Sequence, residues 1–192
     1  MSYLIVGLIL FLGVHSVRIV ADDWRTKTIE RLGLMPWKGI YSVASLIGLA
    51  LLVWGFGLAR QEPVQWWGPP LAMRHLAALL TLVSFVLLAA AYVPDNSIKA
   101  KLHHPMVLAA KVWALAHLLA NGSLAHVLLF GSFLLWAILD FSAARRRDRA
   151  AAASYAPGRA GATAITVIVG LIGWVVFALW LHGWLIGVRP LG

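Results

Sequence analysis

Long apolar runs separated by short polar segments set the pattern of this chain. The runs cover residues 2–20, 39–59, 71–93, 105–120, 124–143 and 162–185. A helix crosses the hydrocarbon core of a bilayer in about 20 apolar residues, and most of these runs meet that length. The fourth is shorter; at 1.5 Å per residue it reaches only about 24 Å, so it is expected to tilt little or to thin the bilayer around it. The polar segments carry the punctuation of helix ends. Pro69-Pro70 stops any helix, Pro94-Asp95-Asn96 reads as a turn, and Pro105 is suited to a first helical position. Asn121-Gly122 suits a left-handed C-terminal cap, with Ser123 completing a tight turn. The first run lacks a basic leader and a small-x-small cleavage site, so it reads as a retained anchor. The Ala-rich, Arg-rich segment 144–161 is expected to be mobile. No internal repeat or heptad pattern is visible. The expectation is an all-α, polytopic membrane protein: a bundle of six transmembrane helices forming one domain over residues 1–192.

Composition strengthens this picture. Of 192 residues, 61% are hydrophobic and 12% charged, more apolar surface than a soluble domain of this size can bury. The net charge of +9 would suggest a nucleic-acid partner if it were clustered on a soluble face. Instead it lies in the connections. Arg18, Arg25, Lys27, Arg31 and Lys38 follow the first run, and Lys99 and Lys101 precede the fourth. Arg145, Arg146, Arg147, Arg149 and Arg159 follow the fifth, whereas the second connection has Arg60 alone and the fourth has no basic residue. Cytoplasmic connections are the basic ones, so both termini are expected on the non-cytoplasmic side, with the lipid bilayer as partner and no nucleic acid. The ten Trp suit interfacial belts. The chain has no Cys, which excludes disulfides and thiolate chemistry. No two carboxylates share an interior face, and no nucleophile elbow, HExxH or Gly-rich phosphate loop is present. The inverted repeat and broken helices of a transporter are also lacking.

Ionisable residues inside the runs ask for a reason, because a charge there costs about 2.5–3.5 kcal/mol; His is cheaper, since it can stay neutral. They are His15 and Arg18, Arg74 and His75, Lys111 and His117, His126, and His182; His103 and His104 sit at the inner edge. Counting from the run ends places His15 and His117 at similar depth. Two imidazoles on different helices can ligate one haem iron from opposite sides. Arg18 or Arg74 would then face a propionate, and Lys111 is either a buried cation for an anionic group or a snorkelling side chain. On a 3.6-residue period His103, Ala110, Ala114, His117 and Asn121 share a stripe with a small-residue centre, open to a flat ligand or to a close-packed helix. The candidate cofactor-binding set is therefore His15, His117, Arg18, Asn121 and Lys111, with His15 and His117 as iron ligands. The same residues allow other readings: neutral hydrogen-bonding between helices, a metal site or a proton relay. His75, His126 and His182 at the outer end offer zinc ligands without the i, i+4 spacing.

Several segments resemble the NnrU family of bacterial inner-membrane proteins. They are Pro36-Trp37-Lys38-Gly39-Ile40-Tyr41-Ser42, His104-Pro105-Met106, Trp113-Ala114-Leu115-Ala116-His117-Leu118-Leu119-Ala120-Asn121-Gly122, His15-Ser16, and Phe130-Gly131-Ser132-Phe133. The resemblance covers nearly the whole chain. The resemblance implies a multi-pass protein of the bacterial inner membrane associated with denitrification, the reduction of nitrite and nitric oxide. The family is also similar to 15-cis-zeta-carotene isomerase, a membrane protein that carries haem b between a first-span His and a later Ala-His. Those positions match His15 and His117, so the resemblance implies haem b here, in a redox, sensing or isomerase-like role. The isomerase has a Cys three residues before the later His, where this chain has Ala114. Two other expectations stand beside this one. The first is a non-enzymatic assembly or maturation factor, partnered by a membrane reductase or its maturation proteins. The second is a small membrane methyltransferase, whose Arg-His-Pro motif would correspond to His103-His104-Pro105 without the Arg.

Overall fold

The computed structural model describes residues 1–191, and helices dominate it. They are α1 (Ser2–Val20), α2 (Asp22–Leu32), α3 (Leu34–Ala59), α4 (Leu71–Tyr92), α5 (Ser97–Leu102), α6 (Pro105–Ala120), α7 (Leu124–Ala150) and α8 (Ala160–Ile186). A π-helical turn, Phe177–Leu181, interrupts α8. Among the described residues five helices, α1, α3, α4, α7 and α8, are long and apolar enough to cross a bilayer. The 16 residues of α6 make a shorter apolar helix. It lies packed between α4 and α7.

The structure corrects three boundaries. The basic segment after α1 is not a plain loop: Asp22 and Asp23 open the helix α2, where acidic side chains complement the N-terminal dipole. Gly33, at φ +88°, then turns the chain into α3. The segment expected to be mobile continues α7 helically as far as Ala150, since Ala and Arg are strong helix formers even beyond the apolar run. Asn121 is extended (φ −136°, ψ 135°) rather than a left-handed cap. What fixes the α6–α7 turn is its neighbour. The amides of Trp66 and Trp67 donate to the Gly122 carbonyl at 2.9 and 3.3 Å, and Leu124 N donates to Val64 O at 2.8 Å. A Cβ on residue 122 would collide with the Trp67 backbone, so glycine is required there by close approach.

The five long apolar helices and the shorter α6 touch in the order α3–α1–α7–α6–α4–α8, with α3 also brushing α7 and the ends of α3 and α8 joined through Arg60 and Ile186. Small residues make the close contacts, as expected where lipid removes the hydrophobic drive between helices. Gly7 of α1 meets the backbone of Leu51 and Leu52, and Gly48 and Gly55 of α3 meet that of Phe11 and Leu4. In α6, Ala109, Ala114 and Ala116 are buried, and Ser84 of α4 donates to the Ala109 carbonyl at 2.8 Å. Outward faces carry exposed Ile40, Val43, Ile47 and Val53 on α3 and Ile165, Ile168 and Ile172 on α8, surface that a bilayer would cover.

The connections gather at the two ends. At one end the 60–70 loop lies on the α6–α7 turn, Arg60 donates to Ile186 O at 2.9 Å, and Tyr3 stacks on Trp54. Both described chain ends therefore lie there. At the other end the basic segments meet. Arg159 pairs with Asp95 at 2.8 Å, and Arg147 donates to Arg18 O at 3.2 Å. Buried Asn96 caps α5 through Lys99 N and donates back to the carbonyls of Ala90 and Val93.

Candidate functional site

His15 and His117 are held in the same way. In each, Nδ1 lies against the carbonyl one turn earlier on its own helix: Phe11 O at 2.6 Å for His15 and Trp113 O at 2.9 Å for His117. A carbonyl only accepts, so Nδ1 carries the hydrogen and Nε2 keeps its lone pair. Among the described residues no hydrogen bond reaches either Nε2. A local bond that fixes one ring nitrogen and frees the other is also how metal-ligating imidazoles are oriented.

The surroundings are aromatic. The His15 ring lies 4.2 Å from Phe11, 5.3 Å from Tyr41 and 6.2 Å from Trp136, centroid to centroid. His117 stacks on Phe130 at 4.5 Å and lies 5.1 Å from Trp113. Phe11 reaches Phe133 at 5.8 Å and Phe133 reaches Trp113 at 5.6 Å, so rings join the two imidazoles in an unbroken series. The two are not level. His15 registers on Trp136 and His117 on Phe130, an offset along α7 of about 9 Å at helical rise. The reason is that α7 stands between α1 and α6, so each imidazole is placed by α7 rather than by the other's helix.

Each imidazole by itself offers the chemistry of a haem ligand, a ring with a free Nε2 in an aromatic lining, but as placed the two are offset on either side of α7 and do not face a single iron. Phe11, Phe133 and Trp113 occupy the space between them, so entry of a flat ring system would require those side chains to swing aside.

The other nominated residues take separate places. Arg18 is half-exposed at the α1–α2 corner, with Nε 3.7 Å from Asp22, one turn beyond His15. Arg74 is exposed near the start of α4, at the opposite end of the bundle. Lys111 sets its ammonium 6.0 Å from the Phe141 ring. Asn121 donates to the His117 carbonyl at 2.9 Å and so anchors the end of α6 rather than the imidazole. Ala114, on the predicted stripe, is fully buried with Leu4, Leu8, Leu129 and Phe130, so helix packing fills that groove. The outer imidazoles do not converge. His75 is exposed, His126 shares a 2.6 Å hydrogen bond with Ser123, and His182 donates to Val188 O at 2.6 Å. Among the described residues no three His, Asp or Glu side chains are grouped to hold a metal ion.

Sequence reasoning missed a polar cluster at the basic end. His104 Nε2 donates to Asp148 at 2.8 Å and the Tyr155 hydroxyl donates to the same oxygen at 3.1 Å. His103, at the strained φ of +68°, stacks on Tyr155 at 4.0 Å and meets Arg145. Burial pushes the Asp148 carboxyl up, but the hydrogen bond and charge of His104 outweigh it and hold the group below its ordinary value. Burial first, and then Asp148, push the Tyr155 hydroxyl up. The doublet His103-His104 was visible in the sequence; its partners lie more than 40 residues away and carried no signal of their own.

Comparison with curated proteins and with solved structures finds no match for the chain. The family profile described as NnrU protein matches residues 3–190, nearly the whole length, and the chain belongs to the NnrU family.

Proposed function

We propose that this NnrU protein binds haem b within its helical bundle through His15 and His117, with Phe11, Phe133 and Trp113 displaced from between them, and serves a redox or sensing step tied to nitrite and nitric oxide reduction in the bacterial inner membrane. One observation carries the reading: both imidazoles are locked with Nδ1 protonated and Nε2 free, on helices that flank the same aromatic-lined helix. The carbonyls of Phe11 and Trp113 fix the tautomers and orient the rings. Phe130 stacks on His117, and Phe133 bridges Phe11 and Trp113, so the lining around both rings is aromatic. Arg18 is the cation nearest in sequence to His15 for a propionate, and Lys111 stands on the same helix as His117. When bound, haem supplies a one-electron iron couple and an iron that small diatomic molecules can ligate.

The test is the absorption spectrum of protein purified from cells supplied with haem. A Soret band is expected, shifted or lost in His15→Ala and in His117→Ala while helicity by circular dichroism stays at the parent level. A parent spectrum without the band, or a band unchanged when both residues are replaced, would refute the proposal.

A further inference from the structure

The α1–α3 pair carries a second feature. Near the end with the chain termini the two helices press backbone to backbone at Gly7, Gly48 and Gly55. Toward the basic end the close glycine contacts stop: Gly13 and Gly39 meet nothing within 4 Å. A groove of about 320 Å³ opens there, lined by Phe11, His15, Tyr41, Ser42, Ser45, Leu46 and Leu49. Ser42, Leu46 and Leu49 are exposed, so the groove faces the lipid phase. Its lining is graded. Tyr41, Ser42 and Ser45 put three hydroxyls toward the basic end, whereas Leu46 and Leu49 continue toward the bilayer centre. Rings of Phe11, His15 and Tyr41 wall the polar part. The Ser45 Oγ is buried and lacks a well-formed hydrogen bond, with the neighbouring Tyr41 hydroxyl as a candidate partner, so an acceptor in the groove would satisfy it.

We infer that this groove is a lateral binding site for a neutral membrane amphiphile whose oxygen-bearing ring lies among Tyr41, Ser42 and Ser45 and whose apolar tail runs along Leu46 and Leu49. The ring oxygen accepts from the Ser45 hydroxyl. No cation lines the groove, which excludes a phosphate head; the aromatic walls favour a flat ring over a branched polar group. The site does not rest on haem, since it uses hydroxyls of α3 and not the His15 Nε2.

The test uses the full-length protein in dodecyl maltoside, without haem, titrated with 2-decyl-1,4-benzoquinone, 4-decylphenol and decylbenzene, with binding read by thermal stabilisation. At least one oxygenated ring is expected to bind about tenfold more tightly than decylbenzene, which has the same tail and no acceptor. The stronger of the two then tells a carbonyl head from a hydroxyl head. Ser45→Ala should weaken that binding by about fivefold, and Ser45→Leu, which fills the groove, should abolish it, with helicity retained in both. Equal binding of all three compounds, no binding of any, or unchanged affinity in Ser45→Leu would overturn the inference. A missing Soret band with saturable ring binding would sink the haem reading and leave this one standing.

Discussion

An imidazole in a membrane is tolerable while neutral, and a hydrogen bond to its own helix keeps it so oriented. His15 and His117 both use that device, and the free Nε2 it leaves is what makes them candidate ligands. At the basic end the chemistry differs, because a charge is kept there. The Asp148 carboxyl lies below its ordinary value, so its grip on His104 and Tyr155 is intact above the unfolded-state value of about 3.9 and is lost as pH falls through the lower folded one. Asp148→Asn is therefore expected to loosen the 151–159 connection at neutral pH. Limited proteolysis checks this: cleavage in that segment should rise several-fold over the parent at pH 7, and the difference should vanish at acid pH where the parent has let go. These partners were invisible in the sequence, because a His-Asp contact between a helix corner and a distant helix end leaves no periodic trace.

Among the elements, the α1–α3 contact is the most exacting. Side chains larger than hydrogen at residues 7, 48 and 55 would enter the opposing backbone. Gly55→Leu is expected to destabilise the pair by about 3 kcal/mol or more, measured as a lower melting temperature in detergent, whereas Gly57→Ala, which faces open space, should change it little. The interhelical bond from Ser84 to Ala109 is a milder case: Ser84→Ala should cost roughly 0.6 kcal/mol by the same melt, since such bonds are modest in membranes. Element positions were largely legible. The start of α4 after Pro69-Pro70 and the span of α6 from Pro105 follow from punctuation in the chain. The helical extension of α7 and the existence of α2 were not legible, because hydropathy marks the edge of the bilayer rather than the end of a helix.

On the scale of the molecule, the packing of the helices brings the basic connections to one end and both described chain ends to the other. If the basic end faces the cytoplasm, as the charge bias leads one to expect, single cysteines at residues 28, 101 and 154 should be shielded from a membrane-impermeant maleimide in intact cells, and one at residue 63 should be labelled. The chain has no Cys, so each variant reports one site. Labelling in the opposite sense would invert the topology.

Hydropathy and charge along the chain determined that this is an all-helical protein with several helices apolar enough to span a bilayer and a basic end, because burial in lipid and the cost of moving cations across it are properties of composition and order. The residues His15 and His117 could also be singled out from the sequence, as ionisable groups within apolar runs. Tertiary structure alone decided what stands between them. Which helix separates α1 from α6, how far each imidazole is offset along it, and which rings fill the gap depend on helix rotation and on the close approach of small residues, and neither is written in the period of any one segment.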